Sequence, residues 1–279
     1  IKGSIKDFIK TLSTRKLHKQ LITGDAELAI VFFNAVIKLD IDILYLINKN
    51  FGDIPALMTK EALNIKYWNN YYKNKNLASQ STKFAVFCKK KLKHYKGILY
   101  DIGCGNGRDS IYFNKKRIYC VGIDKSFQAI YKSKKKFSTY KNHFKKKNFC
   151  NFFSNQIINV KFSVYSRFSL HSITYEHEKQ LLNSLIKQKN LEYLFIESRT
   201  LDDELYGKGK KVGKHEFVWE NVTNKHKYIA SHYRRFIDPS VLRKKLKKNF
   251  NVIYFKKSKG FARFRKEDPC VLRIIAKKK

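Results

Sequence analysis

The chain has 279 residues, of which 43% are hydrophobic and 15% aromatic, and a formal charge of +38. That apolar share fills one large α/β core with an extension to spare, and it excludes a disordered chain. The charge invites phosphates, yet the lysines run through nearly every segment beside abundant Asn, Ile, Tyr and Phe, so the first reading is compositional bias with solvated lysine faces.

Residues 1–60 carry apolar clusters at helical spacing, Ala29-Ile30-Phe32-Phe33-Val36-Ile37 and then Ile43-Leu44-Leu46-Ile47. They predict one or two amphipathic helices, an extension or the end of an upstream domain, ahead of a second domain over 61–279. The chain starts at Ile1 without a methionine, as a fragment would. An aromatic cluster at Tyr67-Trp68 and Tyr71-Tyr72 follows, and 79–87 reads as a loop entering a helix behind a Ser or Thr cap.

A strand is predicted from Gly97 to Ile102, then a bend through Gly103, Cys104, Gly105, Asn106 and Gly107, then a helix from about Asp109 to Lys115. Strand, tight turn and helix in this order form the phosphate- or nucleotide-binding corner of parallel sheets. The dinucleotide spacing G-x-G-x-x-G would need glycine at 108, where Arg108 stands. A second apolar run, Ile118 to Ile123, ends in Asp124, about twenty residues beyond Asp101, the offset at which an acid takes a ribose hydroxyl pair.

The run Asp-Ile-Gly-Cys-Gly-Asn-Gly at 101–107 resembles the first motif of class I S-adenosylmethionine-dependent methyltransferases. Its continuation Arg108-Asp109-Ser110 resembles a bacterial small-molecule branch that includes tellurite-resistance-type and surface-polysaccharide enzymes. The likeness runs from about Tyr67 to the C-terminus. It implies a Rossmann-like seven-stranded sheet closed by a C-terminal antiparallel hairpin, with S-adenosylmethionine as cofactor. It implies Asp101 at the turn and the amino-acid end of the cofactor, Gly103, Gly105 and Gly107 as points of close backbone approach, and Cys104, Asn106 and Arg108 among the cofactor-binding residues. Asp124 would hold the ribose hydroxyls, Asn148 stands where the family usually has the acid that binds the adenine amino group, and Lys125, Ser126 and Phe149 complete the cofactor set. Tyr67, Trp68, Tyr71 and Phe84 are implied as a lid.

Onward, a helix is expected from Phe127 to Phe137, a short run from Phe144 to Phe149, and a fourth strand from Asn159 to Tyr165. This alternation is the βαβ signature. The following Ser166-Arg167-Phe168-Ser169-Leu170-His171-Ser172-Ile173 resembles the matching family segment, so Tyr165 joins the cofactor set and Arg167 and His171 the catalytic one. A helix from Glu176 to Gln188 and a fifth strand from Glu192 to Ser198 lead to Arg199. The stretch from Thr200 to Phe236 reads as a long polar loop. Arg199, Tyr206, Tyr233 and Arg235 suit an anionic acceptor, because guanidinium forks match carboxylate and phosphate oxygens, and His232 is a second base candidate. Pro239 opens a helix to about Lys248, and 251–257 and 271–276 form the closing hairpin.

Methyl transfer needs alignment and dryness, and a base only when the acceptor must lose a proton. The Asn/Asp-Pro-Pro-Tyr/Phe segment of enzymes that methylate base amino groups is replaced here by Tyr165-Ser166-Arg167-Phe168. The leading expectation is therefore a methyltransferase for a small or saccharide-linked anionic acceptor. An RNA methyltransferase, motivated by charge, and a non-catalytic cofactor-binding scaffold remain the alternatives. Cys88, Cys104, Cys120, Cys150 and Cys270 are widely spaced without C-x-x-C, so no metal is expected and a reducing cytoplasm is the simplest setting. No apolar run approaches the roughly 18 residues of a membrane span, so any membrane association would be peripheral.

Overall fold

A computed structural model describes residues 56–74, 78–222, 229–264 and 266–279. The helices expected within 25–46 lie outside the described residues. Leu63–Lys279 form one compact unit. The described elements start with helix α1 (Ala56–Asn74) and α2 (Lys83–Lys89), and then alternate β1 (Ile98–Ile102), α3 (Arg108–Lys115), β2 (Cys120–Asp124), α4 (Phe127–Lys136) and β3 (Phe144–Lys146). After these come α5 (Phe149–Phe152), β4 (Phe162–Arg167), α6 (Tyr175–Lys187) and β5 (Leu191–Arg199). Three further strands, β6 (Lys210–Gly213), β7 (Glu216–Val222) and β8 (Ile229–Arg235), precede α7 (Pro239–Lys247), β9 (Phe250–Ser258) and β10 (Val271–Lys278).

Seven strands form one sheet in the order β3-β2-β1-β4-β5-β10-β9. β1 through β5 pair in parallel, whereas β10 runs antiparallel between β5 and β9. This is the expected Rossmann-like sheet with its closing hairpin. The period of two sorts each strand into two faces. Tyr100, Ile102, Val164, Ile196 and Ile274 pack beneath α5, α6 and α7, with Leu181, Leu185 and Leu242 opposite them. Leu99, Tyr165, Phe195 and Ile275 face the other way, onto Phe84 and Cys88 of α2 and Phe113 of α3. With both faces covered, β1 and β2 read as the continuous apolar runs typical of buried parallel strands.

Helix starts are set by side-chain caps. Thr82 accepts the Ala85 amide ahead of α2, Ser126 that of Ala129 ahead of α4, and Thr174 that of His177 ahead of α6. Asp238 accepts the Ser240 and Val241 amides with Pro239 in the first turn of α7, as the sequence predicts.

Two expectations are corrected. The fourth strand starts at Phe162 and continues through Arg167, because Asn159 to Lys161 lack parallel partners while Ser166 and Arg167 pair with Ile196 and Glu197 of β5. The segment from Thr200 to Phe236 is no polar loop. It carries β6, β7 and β8 as an antiparallel sheet of its own, whose apolar run Phe217-Val218-Trp219 is short and set among polar residues in the sequence. No described helix is long and apolar enough to cross a membrane.

Candidate active site

The glycine bend lies at the carboxyl ends of β1 and β2, the sheet edge where open α/β folds bind ligands. The Gly103 and Cys104 amides both donate to Ile123 O, at 2.7 and 3.1 Å. The Gly105 amide donates to Asp124 Oδ2 at 2.9 Å, and the Ser126 amide to Asp124 Oδ1 at 2.8 Å. Asp124 is thus fixed with both oxygens at the cleft. Gly105 and Gly107 have φ of +55° and +73°, a region that costs a side-chain-bearing residue roughly 1–2 kcal/mol. A Cβ on Gly105 would also strike the Tyr72 hydroxyl, and one on Gly107 the Phe144 ring.

Asp101, buried at the end of β1, accepts a 2.6 Å hydrogen bond from Ser110 Oγ. Burial, and then the neighbouring Asp109, push its carboxyl up to about 8. Asn106 donates to Ala78 O at 2.8 Å, tying the bend to the segment before α2. Arg108 is half-buried in the first turn of α3, where burial and Arg167 lower its basicity. Lys125 is half-buried and Ser126 buried. Asn148 caps α5 by accepting the Cys150 amide at 3.1 Å, and the buried Phe149 lies beside Gly103.

Tyr165 does not face the cleft as expected. Its hydroxyl donates to Asp109 Oδ2 at 2.8 Å, and the same carboxylate accepts from the Thr82 amide and hydroxyl, each at 2.8 Å. Its ring packs 5.1 Å from Phe84 and 5.2 Å from Phe113. Because Phe84 is fully buried there, it belongs to the core and not to a lid. The sequence placed Tyr165 at a strand end, but the strand runs two residues further, and the pleat turns this side chain away.

α1 lies over the bend. Asn69 Oδ1 accepts from Ser126 Oγ at 2.8 Å, Lys132 Nζ donates to Lys73 O at 2.8 Å, and Tyr72 rests against Gly105. Trp68 stacks with Tyr72 at 5.9 Å, and Tyr67 stacks on His232 of β8 at 3.9 Å. Of the implied lid, Tyr67, Trp68 and Tyr71 lie in this aromatic layer.

The ends of β4 and β5 hold the remaining expected residues. Arg167 donates to Glu197 Oε1 at 3.0 Å, and Arg273 to Glu197 Oε2 at 2.6 Å. Phe168 then adopts a φ of +56°, strain of a kind that collects at functional turns, and the turn it makes carries His171. That imidazole is buried, stands 5.1 Å from the Phe168 ring, and has an Nδ1 without a hydrogen-bond partner. Burial, then Arg199, Arg234 and other nearby cations, hold its pKa well below the usual value, so it is neutral at physiological pH.

The expected acceptor residues do not converge. Both Oδ atoms of Asp203 accept from Arg199 at 3.0 Å, and Glu267 takes its other nitrogen at 2.8 Å. Arg235 donates to Glu178 and, at 3.1 Å, to Ile173 O. Tyr233 is buried with its hydroxyl 3.5 Å from Ile173 O, and Tyr206 bonds His215 Nδ1 at 2.8 Å. Arg235 and Tyr233 share the β8 face turned to Ile173. His232 and its face-mate Arg234, which sequence reasoning passed over, lie on the other face, toward α1. The period of two in His232-Tyr233-Arg234-Arg235 was the signal, hidden by the reading of this stretch as loop. Asn64, also overlooked, donates to Ser172 O.

Among the described residues no group of three or more His, Cys, Asp or Glu is arranged to hold a metal ion. No protein-family model matches the sequence, and no curated protein matches it significantly. Solved structures do match. A SAM-dependent methyltransferase from Methanosarcina mazei superposes with a TM-score of 0.57 at 15% identity, over 68% of this chain and 96% of that one. A protein from Pyrococcus horikoshii gives 0.53 at 14% identity, over 75% and 99%. The glycopeptide N-methyltransferase MtfA, solved with S-adenosyl-L-homocysteine, gives 0.51 at 13% identity, over 72% and 90%. Strand order, closing hairpin and these superpositions agree that the chain has the Rossmann-like fold of SAM-dependent methyltransferases.

Proposed function

We propose that this chain is an S-adenosylmethionine-dependent methyltransferase acting on a small or saccharide-linked anionic acceptor. The observation that carries the reading is the link between the two acids: Asp101 and Asp124 flank a glycine bend whose Gly105 amide is fastened to Asp124 at 2.9 Å. The residues fit the cofactor. A carboxylate offers about four acceptor positions, and the backbone amides take one on each oxygen of Asp124, leaving capacity for a pair of ribose hydroxyls. Asp101, with Gly103, Cys104, Asn106 and Arg108 around it, would hold the amino-acid end. Lys125 and Ser126 flank the ribose position, and Asn148 and Phe149 serve the adenine.

When bound, the cofactor supplies a methyl group activated by a sulfonium. The protein's part is to orient the acceptor and keep water out, and the aromatic layer on α1 does the latter. His171, kept neutral by burial, accepts a proton from an acceptor hydroxyl or ammonium. His232, stacked on Tyr67, is the alternative base. Arg167, held by Glu197, contributes positive potential without leaving its ion pair.

Isothermal titration of the full chain with S-adenosylmethionine tests this reading, with one-site binding expected. Absence of heat up to about 1 mM, where binding is worth only about 4 kcal/mol, overturns it. Transfer of labelled methyl to hydroxylated sugar acids, with RNA as the comparison acceptor, then checks the acceptor class.

A further inference from the structure

Four arginines at the β4 and β5 ends and on β8 and β10 are held by carboxylates. Arg167 and Arg273 share Glu197, Arg199 holds Asp203 and Glu267, and Arg235 holds Glu178. Among the described residues Arg234 has no such ion pair, and its Nε is buried without a hydrogen-bond partner. Two more buried polar atoms lack partners nearby, His171 Nδ1 and Asn64 Oδ1. Asn64 and His171 are each only 4% exposed.

These three atoms come from separate segments that meet. The Asn64 amide donates to Ser172 O, beside His171. Tyr67, one helical turn after Asn64, stacks on His232, two residues before Arg234 on the same face of β8. Leaving a buried donor or acceptor unsatisfied costs roughly 1–3 kcal/mol. Such groups in a folded chain call for an occupant.

Their chemistry defines that occupant. Arg234 Nε only donates and carries positive charge, Asn64 Oδ1 only accepts, and a neutral imidazole nitrogen accepts when its partner nitrogen bears the proton. We propose that this nook binds a hydroxylated or aminated oxyanion, with Arg234 holding the oxyanion and Asn64 and His171 accepting hydrogen bonds from the neighbouring hydroxyl or amino group. Calling this ligand the methyl acceptor rests on the function proposed above; the site itself does not.

The test is calorimetric titration of the full chain with D-glucuronate, D-glucose 6-phosphate and D-glucose, at about 0.15 M salt to suppress loose anion binding at exposed lysines. Either or both anionic sugars should bind, the pair telling carboxylate from phosphate, and glucose should not. Arg234→Gln should weaken the bound anion about tenfold or more, Arg234→Lys should retain part of the affinity, and Asn64→Ala should weaken it independently. Arg243→Gln, on the exposed face of α7, should leave it unchanged. Equal binding by Arg234→Gln and the parent, glucose binding as tightly as the anions, or no binding of either anion at about 10 mM overturns the proposal, the last meaning that the nook holds water only. A parallel titration with S-adenosylhomocysteine separates the two ideas. Its failure alongside selective anion binding removes the cofactor reading and keeps this site, and the reverse outcome removes this site alone.

Discussion

Asn69 Oδ1 accepts a hydrogen bond from Ser126 Oγ at 2.8 Å, and so joins the covering helix α1 to the end of β2. Ser126 in turn caps α4 through the Ala129 amide and donates its own amide to Asp124. A continuous path of hydrogen bonds therefore runs from α1 to the acid proposed for the ribose. Asn69→Ala removes its first link, a loss of about 1 kcal/mol. Amide hydrogen exchange across 63–74 should quicken about fivefold, while exchange in β1 and β4 stays as it was. Unchanged exchange in α1 would mean that the aromatic layer alone holds it down.

Tyr165 illustrates a residue whose role changed once the register of its strand was known. Tyr165→Phe deletes the 2.8 Å hydrogen bond to Asp109 and leaves that buried carboxylate with the Thr82 donors alone. The expected cost is roughly 1–3 kcal/mol, a fall of roughly 2–8 °C in melting temperature for a domain of this size, with S-adenosylmethionine affinity unaltered. A large loss of affinity at constant melting temperature would return Tyr165 to the cofactor set.

The sheet and the glycine bend were legible because they depend on local signals. Apolar runs at 98–102 and 120–124 break at glycines and acids, and the closing hairpin shows as two further apolar runs at 252–255 and 271–276. What stayed hidden depends on partners far apart in the chain. Nothing around Arg199 announces Glu267 as its ligand, and nothing around Arg235 announces Glu178. Arg199 and Arg235 looked suited to an anion, and only tertiary pairing shows that both are already held by carboxylates while Arg234, passed over in the sequence, is not. The β6 to β8 sheet was lost for another reason: the lysines and glycines at 207–214 and the shortness of the apolar run Phe217-Val218-Trp219 leave little strand pattern to read.

Asp124→Asn keeps the shape of the side chain while replacing one acceptor oxygen by an amide and removing the charge. If Asp124 holds ribose hydroxyls, affinity for S-adenosylmethionine should fall by about 10- to 100-fold, the span expected for hydrogen bonds to a charged acceptor. The Gly105 and Ser126 amides also depend on this carboxylate, so circular dichroism melts must accompany the titration. Undiminished affinity in a folded Asp124→Asn chain contradicts the ribose assignment.

Stability against pH offers a test of the site's electrostatics without any ligand. Asp101 is raised to about 8 in the folded chain, chiefly by burial, against an unfolded value near 3.9. The folded state therefore keeps a proton that the unfolded state has lost, and stability declines as pH rises from about 4 to about 8, by at most about 1.4 kcal/mol per unit. His171 slopes the opposite way. Its folded value is depressed by burial and cationic neighbours, so its contribution is intact above the unfolded value near 6.5 and is lost as pH falls below it. The two offset one another below about 6.5, and the Asp101 slope stands clear of His171 between about 6.5 and 8. Asp101→Asn can still accept from Ser110 and no longer titrates, so it should flatten the denaturant-measured stability over that window and be the more stable chain at pH 8. Parallel pH profiles for parent and variant would show that Asp101 is ionised in the folded chain throughout, and that burial at the end of β1 does not hold its proton.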